Sequence, residues 1–484
     1  MEREVAAHRE DDEPLTPAGR FFLQPEMNQV INCAIGMKNP IDIEALKDAI
    51  KDSLMLQHPR FRSVLVRDKQ GREHWRQTQL DLDNHVFLRE IGSEENDDDE
   101  TVVNDYLADL AVSSPMSTDK PLWELNVVRA RKCCVLRIHH ALGDGISLMS
   151  LFIACCRKAD RPDQMATIPN NSSSSSILRR EGEKIGIGGR LRWIWRMWLR
   201  LMMAAWFTLV YAMEFLLRCL WVKDEKTAIS GGDGVELWPR KIATAKFSID
   251  DMKAVKRALV NATINDVLFG VISSGLSRYL DLKTSKTEPR EGIQISGLSM
   301  VNIRKQPGLQ EMSKLVKSKS GSRWGNQFGF MILPVYYHRE VNDPLQYVKR
   351  AKAMIDKKKL SLEAHFSYKI AALVMSLLGP KVAIYLNHRI VCNTTFTISN
   401  VLGPQEEIMI AGNPINYIRV NTAALTHAIT MHMVSYAGRA EMQILVAKDI
   451  IPDPKVLAKC FEDALLEMKD AAATSTAVQE GKDS

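Results

Sequence analysis

The residues with types suited to chemistry lie in one short stretch: His139, His140, Ala141, Leu142, Gly143, Asp144 and Gly145. A neutral imidazole titrates near physiological pH, so a histidine held at the end of a strand can take the proton of an attacking hydroxyl. A carboxylate four residues on could orient that ring or serve the turn. Adjacent histidines also raise a metal reading. Successive strand residues point to opposite faces, however, so His139 and His140 cannot easily converge on one ion, and only one of them enters a given cavity. The plainer alternative is that both rings fill core, with Asp144, Gly143 and Gly145 serving only the turn.

Three elements must position this stretch. Residues 133–138 are apolar and short enough for a buried strand, the two glycines supply the backbone freedom of a tight turn, and residues 146–156 are apolar at helical length. Pro121-Leu122-Trp123-Glu124 opens a strand through Val128 that can pair with it as a hairpin. Upstream, the spacing predicts a capped helix start at 15–22, a strand at 30–37 and a helix at 41–54. His58, followed by proline at that helix exit, reads as structural. Downstream of about residue 235 comes a second α/β unit. Its strands are expected at 243–249, 293–301, up to 335, and 394–400, with a hairpin of 430–436 and 441–447. Its helices are expected at 261–280, 344–357, 363–378 and 454–469.

The 484 residues can bury large cores, and a net charge of +6 is mild for that size, so composition gives no reason to expect nucleic acid as a partner. The eight cysteines fall mostly in apolar runs without CxxC spacing, which predicts reduced thiols in a cytosol-facing protein. Residues 1–14 are charged and lack the apolar core of a secretory signal.

Residues 161–176 contain five consecutive serines and read as a linker. Arg196 and Arg200 then alternate with Trp193, Trp195 and Trp198 ahead of a long apolar run. Arginine and tryptophan flanking such a run belong at lipid headgroup depth rather than on nucleic acid. Residues 201–222 are long enough to span a bilayer but carry Glu214 and Arg218, so spanning and lying flat both remain open. If this helix lies in the interface, those two charges are expected to reach water.

Taken in order, Pro121-Leu122-Trp123-Glu124, His139 to Gly145, Asn265-Asp266, Val301-Asn302-Ile303-Arg304 and Ser399-Asn400-Val401-Leu402-Gly403-Pro404 resemble the plant-type bifunctional wax ester synthase/acyl-CoA:diacylglycerol acyltransferase family, within the HHxxxDG acyltransferases. The resemblance covers roughly residues 14–469. It departs at Ile303, where the family usually has leucine. It implies an α/β (α+β) fold of two chloramphenicol-acetyltransferase-like domains flanking a central tunnel, with a membrane-associated apolar helix in the connecting segment. The implied divisions are a disordered tail at 1–14, an N-terminal domain at 15–160, a linker with the basic, Trp-rich helix at 161–234, a C-terminal domain at 235–470, and a disordered tail at 471–484.

The resemblance also implies transfer of a fatty acyl group from acyl-CoA, a co-substrate rather than a cofactor, to a long-chain alcohol or diacylglycerol. His140, the motif's second histidine, is then the base, with His139 supporting. Asp144 is expected to turn away and pair with an arginine, serving site architecture, with direct orientation of His140 as the alternative. An oxyanion develops at the thioester carbonyl, and Thr397, Ser399, Asn400 and Asn265 are candidate donors. No cofactor or metal is expected. The expected location is the cytosolic face of the endoplasmic reticulum membrane, with the plasma membrane as alternative. Two other readings stand beside this one: a BAHD-like or condensation-type transferase, against which the missing Asp-Phe-Gly-Trp-Gly and carrier domain weigh, and an inactive membrane lipid-binding protein. The oligomeric state is not indicated.

Overall fold

The computed structural model describes residues 12–69, 72–91, 98–113, 115–167, 187–284, 290–304, 324–339 and 341–480. Residues 1–11, the serine run and Arg323 lie outside them. Two large sheets carry the architecture. The first has seven strands in the order Val86–Leu88, Trp123–Val128, Cys133–His139, Val30–Met37, Asn413–Thr422, Ile408–Ile410 and Arg157–Lys158. The predicted hairpin is present, with Trp123 opposite Ile138 and Val128 opposite Cys133. Both faces of this sheet are covered, which is why its central strands read as unbroken apolar runs. Cys133 and Val135 face the helix Asp99–Ser113, while Cys134 faces Met149 and Ile153 of the helix Gly145–Ala154.

The second sheet has six strands in the order Phe328–Tyr336, Gln294–Asn302, Phe396–Leu402, Ile429–Tyr436, Arg439–Ala447 and Arg240–Ser248. Helices Ile249–Arg257, Ile264–Lys283, Leu345–Leu360 and Pro454–Glu480 cover one face and form the largest core, around Phe269, Phe396, Met431 and Phe461. A small third sheet joins Glu13–Pro14, Glu73–Gln77 and Ser63–Arg67.

The sheets do not divide where the linker does. Strands Ile408–Ile410 and Asn413–Thr422 leave the second half and join the first sheet, placing Ile418 opposite Ile35 and Thr422 opposite Ile31. Asn32 Nδ2 donates to Asn421 Oδ1 at 3.0 Å across this junction. Gly36 is required there, because a Cβ at that position would lie 2.2 Å from the Tyr417 ring. Of the two expected tails, the described residues 12–14 and 471–480 are ordered. Asp12 pairs with Arg76 at 2.7 Å and Glu13 lies opposite Trp75. The last helix continues through Glu480, with Ala472 in the core, as a run of helix-favouring alanines allows. A further helix, Gly379–Cys392, was not expected at all.

The long apolar helix runs Ile187–Leu220, and Arg192–Leu220 is long and apolar enough to cross a membrane. Its two ends differ. Residues 192–203 are exposed on every side, including Trp193, Trp195, Trp198, Arg196 and Arg200. The C-terminal end is docked: Phe215 and Cys219 pack with Leu298, Ile332, Ile390 and Val391 against the second sheet's other face. The expectation that Glu214 and Arg218 reach water fails for Arg218 and holds in part for Glu214, whose side chain stays 26% exposed. Arg218 is buried and donates to Asp224 Oδ1 and the Asn393 carbonyl, both at 2.9 Å, while Glu214 lies 3.4 Å from Arg218 and 3.6 Å from Lys358. Charges this close to an apolar docking surface persist because they are paired.

Candidate active site

His139 and His140 end the hairpin strand and are placed by different partners. His139 is buried, its Nδ1 accepting from the Ala141 amide at 3.1 Å and its Nε2 lying 3.2 Å from Asn28 Oδ1. Burial pushes its pKa down to about 3. The His140 ring stacks on Phe22 at 4.2 Å, with Phe328 at 5.9 Å. Its Nδ1 lies 3.0 Å from Asn326 Oδ1, and Asn326 Nδ2 donates to the His140 carbonyl at 2.8 Å. That second bond fixes the first. A carbonyl only accepts, so the amide nitrogen must face it, leaving Oδ1 toward the ring and making Nδ1 the donor. Nε2 then carries the lone pair, and among the described residues nothing bonds to it. Burial lowers the His140 pKa; the charge of Asp144 and the bond to Asn326 offset part of that shift. The ring is therefore neutral at physiological pH.

Asp144 makes no hydrogen bond to His140 among the described residues. It is the N-cap of Gly145–Ala154, accepting from the Ser147 amide at 3.0 Å, and it accepts from the Gln327 amide at 2.9 Å. Arg304 lies 2.8 Å from Oδ2 and 3.0 Å from Oδ1, and also donates to Ser147 Oγ and the Gly325 carbonyl. Trp324 donates to the Leu142 carbonyl at 2.8 Å, closing the loop from the other side. Gly325 has φ +103°, which glycine tolerates at no steric cost. Gly143 sits 3.4 Å, by its missing Cβ, from the Trp324 ring, and Gly145 3.2 Å from Val401.

The second sheet supplies the facing side. Thr397 and Ser399 share one face of their strand, and Ser399 pairs with His432 on the neighbouring strand. Thr397 Oγ1 is engaged, 2.8 Å from His427 Nδ1. His432 is buried with an unpartnered Nδ1, and burial, then the nearby His140, pushes its pKa down to about 4. Asn400 faces the other way and donates to Asn265 Oδ1 at 2.8 Å, an exposed pair. Asp266, beside Asn265, completes a capping box with Thr263, which is a structural role.

A cavity of about 400 Å³ lies against this arrangement, lined by Phe22, Asn326 and Phe328, which hold His140, and by Phe215, Leu216, Leu220 and Leu386. The volume falls within the roughly 300–1,000 Å³ of small-molecule sites, and the lining is almost wholly apolar.

Residues 27–268 match the wax ester synthase/diacylglycerol acyltransferase catalytic domain, and residues 324–469 match the WS/DGAT C-terminal domain. Wax ester synthase/diacylglycerol acyltransferase 4 of Arabidopsis thaliana is 34% identical, the alignment covering 97% of this chain and 93% of that protein. Wax ester synthase/diacylglycerol acyltransferase 11 of the same plant is also 34% identical, over 97% of each chain. This chain belongs to the wax ester synthase/diacylglycerol acyltransferase family. The fold is similar to that of the family's enzyme from Marinobacter aquaeolei VT8, at 15% identity and TM-score 0.57 over 95% of this chain and all of that one. It is also similar to the starter condensation domain of rhizomide synthetase RzmA, at 12% identity and TM-score 0.54 over 96% and 95%.

Within the family motifs, the Arg304 expected only as part of a sequence pattern is the arginine that holds Asp144. Asn326 and His432 were missed. Asn326 stands just ahead of the strand expected to end at Val335, and no spacing marks it as the partner of a histidine 186 positions earlier in the chain.

Proposed function

We infer that this O-acyltransferase uses His140 as its general base, moving a fatty acyl group from acyl-CoA to the hydroxyl of a long-chain alcohol or of diacylglycerol. The hydroxyl proton passes to His140 Nε2 as the oxygen attacks the thioester carbonyl. The tetrahedral intermediate collapses by breaking the C–S bond, and Nε2–H returns its proton to the departing thiolate, giving ester and free coenzyme A. Ser399 and His432, on the strand faces turned toward His140, are the favoured groups for the developing oxyanion; Thr397 is already committed to His427, and Asn400 to Asn265. Asp144 is a positioning residue acting through the loop.

The observation that carries this reading is the pair of bonds between His140 and Asn326, which leaves Nε2 basic, in a ring whose neighbours Phe22, Asn326 and Phe328 line an apolar cavity. The location we propose is the cytosolic face of the endoplasmic reticulum membrane, with the plasma membrane as alternative. The charge-free run of residues 201–213 rises only about 20 Å at 1.5 Å per residue, short of the roughly 30 Å hydrocarbon core. With the following turns docked on the second sheet, the helix dips into one leaflet, and both halves of the site stay on one side. The test is turnover by the full chain with labelled acyl-CoA and hexadecanol or dioleoylglycerol. Labelled ester made at the expense of the thioester is expected; thioester hydrolysis alone, or no consumption, would contradict the assignment.

A further inference from the structure

The helices Glu363–Leu377 and Gly379–Cys392 meet at a corner built on Gly379, whose φ is +81°. Between residues 370 and 387 the only charge is Lys381. Both faces of this corner are apolar, for different reasons. Ala371, Val374, Met375 and Leu386 line the same cavity as Phe22 and Asn326. Leu373, Leu377, Leu378 and Tyr385 point outward and are 51%, 72%, 61% and 61% exposed. A contiguous apolar surface of that kind marks a site of interaction rather than ordinary scatter.

Continuity says what covers it. The long apolar helix contributes Phe215, Leu216 and Leu220 to the same cavity, so the corner and that helix are the two walls of one opening. The opposite end of the helix carries the exposed Trp193, Trp195 and Trp198 among arginines, the composition of a lipid interface. Lys381 is positive, as suits an anionic cytoplasmic leaflet.

We propose that the 363–392 corner is a second membrane contact, inserted beside the long helix, and that the cavity between them is a lateral portal through which the lipid substrate's hydrocarbon chain passes from bilayer to His140 without crossing water. The passage of substrate rests on the acyltransferase reading; the membrane contact does not. An apolar corner lying in the interface binds in proportion to the apolar area it buries, so charges placed at its tip will lift it out.

The test uses the full chain on phosphatidylcholine/phosphatidylserine vesicles containing a phospholipid with a diazirine in its acyl chain. Photo-adducts are expected on residues 373–385 as well as 201–213. Adducts on 201–213 alone would overturn the proposal. In parallel, a Leu377→Glu/Leu378→Glu variant is expected to lose about tenfold or more in turnover of vesicle-borne dioleoylglycerol, while octanoyl-CoA with hexanol, both presented in solution, stays within about twofold. Equal loss on both substrate pairs would make the corner a folding element, and no loss on either would make it inert; both overturn the portal. Corner adducts in a wild-type protein that esterifies neither pair would instead remove the acyltransferase reading and leave the contact standing.

Discussion

On the first-sheet side of the site, the polar groups are committed to one another: Asp144 accepts from Ser147, Gln327 and Arg304, His139 sits between Asn28 and Ala141, and His140 is gripped at Nδ1 and at its carbonyl by one asparagine. The second-sheet side is looser. Thr397 and Asn400 are taken up by His427 and Asn265, while Ser399 is half-buried and His432 keeps an unpartnered buried nitrogen. A rigid side suits a base whose tautomer must be fixed before substrate arrives. A side with unspent donors suits a charge that exists only in the transition state.

The largest expected effect tests what the two sides share, which is neutral buried histidine. His58, His139 and His427 are pushed down to about 3 and His432 to about 4, in each case chiefly by burial. The unfolded chain takes up these protons near pH 6.5, whereas the folded chain refuses them until much lower. Stability is therefore whole above pH 6.5 and drains as the pH falls toward 4, at up to about 1.4 kcal/mol per pH unit for each group. Glu363, raised to about 7 by burial, works in the opposite sense but is one group against several. Denaturant midpoints should be markedly lower at pH 5 than at pH 7; equal midpoints would contradict the burial of these rings.

Asp144→Asn comes next, because it leaves the Arg304 guanidinium buried without its counter-charge, a loss of about 3–5 kcal/mol. Thermal melts should fall together with activity. Unchanged melting with collapsed activity would instead make Asp144 an orienting group and erase the distinction between holding the loop and tuning the base.

The looser side is probed by a pair of variants. Ser399→Ala should lower kcat about 10²-fold with little effect on stability, if its hydroxyl meets the oxyanion. Thr397→Val, one turn of the pleat away on the same face, should leave kcat nearly unchanged and lower stability by about 1–3 kcal/mol, since it leaves His427 Nδ1 without its partner while Thr394 still meets Nε2. Reversed outcomes would exchange their roles. The smallest expected loss of rate is that of Asn326→Leu: both hydrogen bonds to His140 are lost, kcat falls about tenfold and the melting temperature falls with it, because the His140 ring loses its preferred tautomer but not its stacking on Phe22.

Most of the rigid side was legible in sequence. Strand, turn and helix around His140 follow from local periodicity, and the resemblance to the family implied that an arginine would pair with Asp144. The crossing strand Asn413–Thr422 was not legible, because Pro414 and the irregularity between Ile415 and Tyr417 break its alternation. The helix Gly379–Cys392 did leave a signal, a left-handed glycine followed by proline at its first turn, which is a common way to end one helix and begin another. Asn326 and His432 were hidden for a different reason: their roles depend on which residues face them across the two sheets, and no local pattern encodes that. Arg218 misled because it looks solvent-seeking until Asp224 arrives from beyond the end of its helix.

The central claim is that His140, and not His139, takes the alcohol's proton. Single-turnover formation of labelled wax ester from labelled palmitoyl-CoA and hexadecanol by His140→Ala, compared with His139→Asn and wild type and with folding followed by circular dichroism, tests it most directly. The account predicts that a folded His140→Ala protein loses about 10²-fold or more in rate, the scale of a general base, while His139→Asn loses chiefly stability. A folded His140→Ala protein turning over at close to the wild-type rate would contradict it.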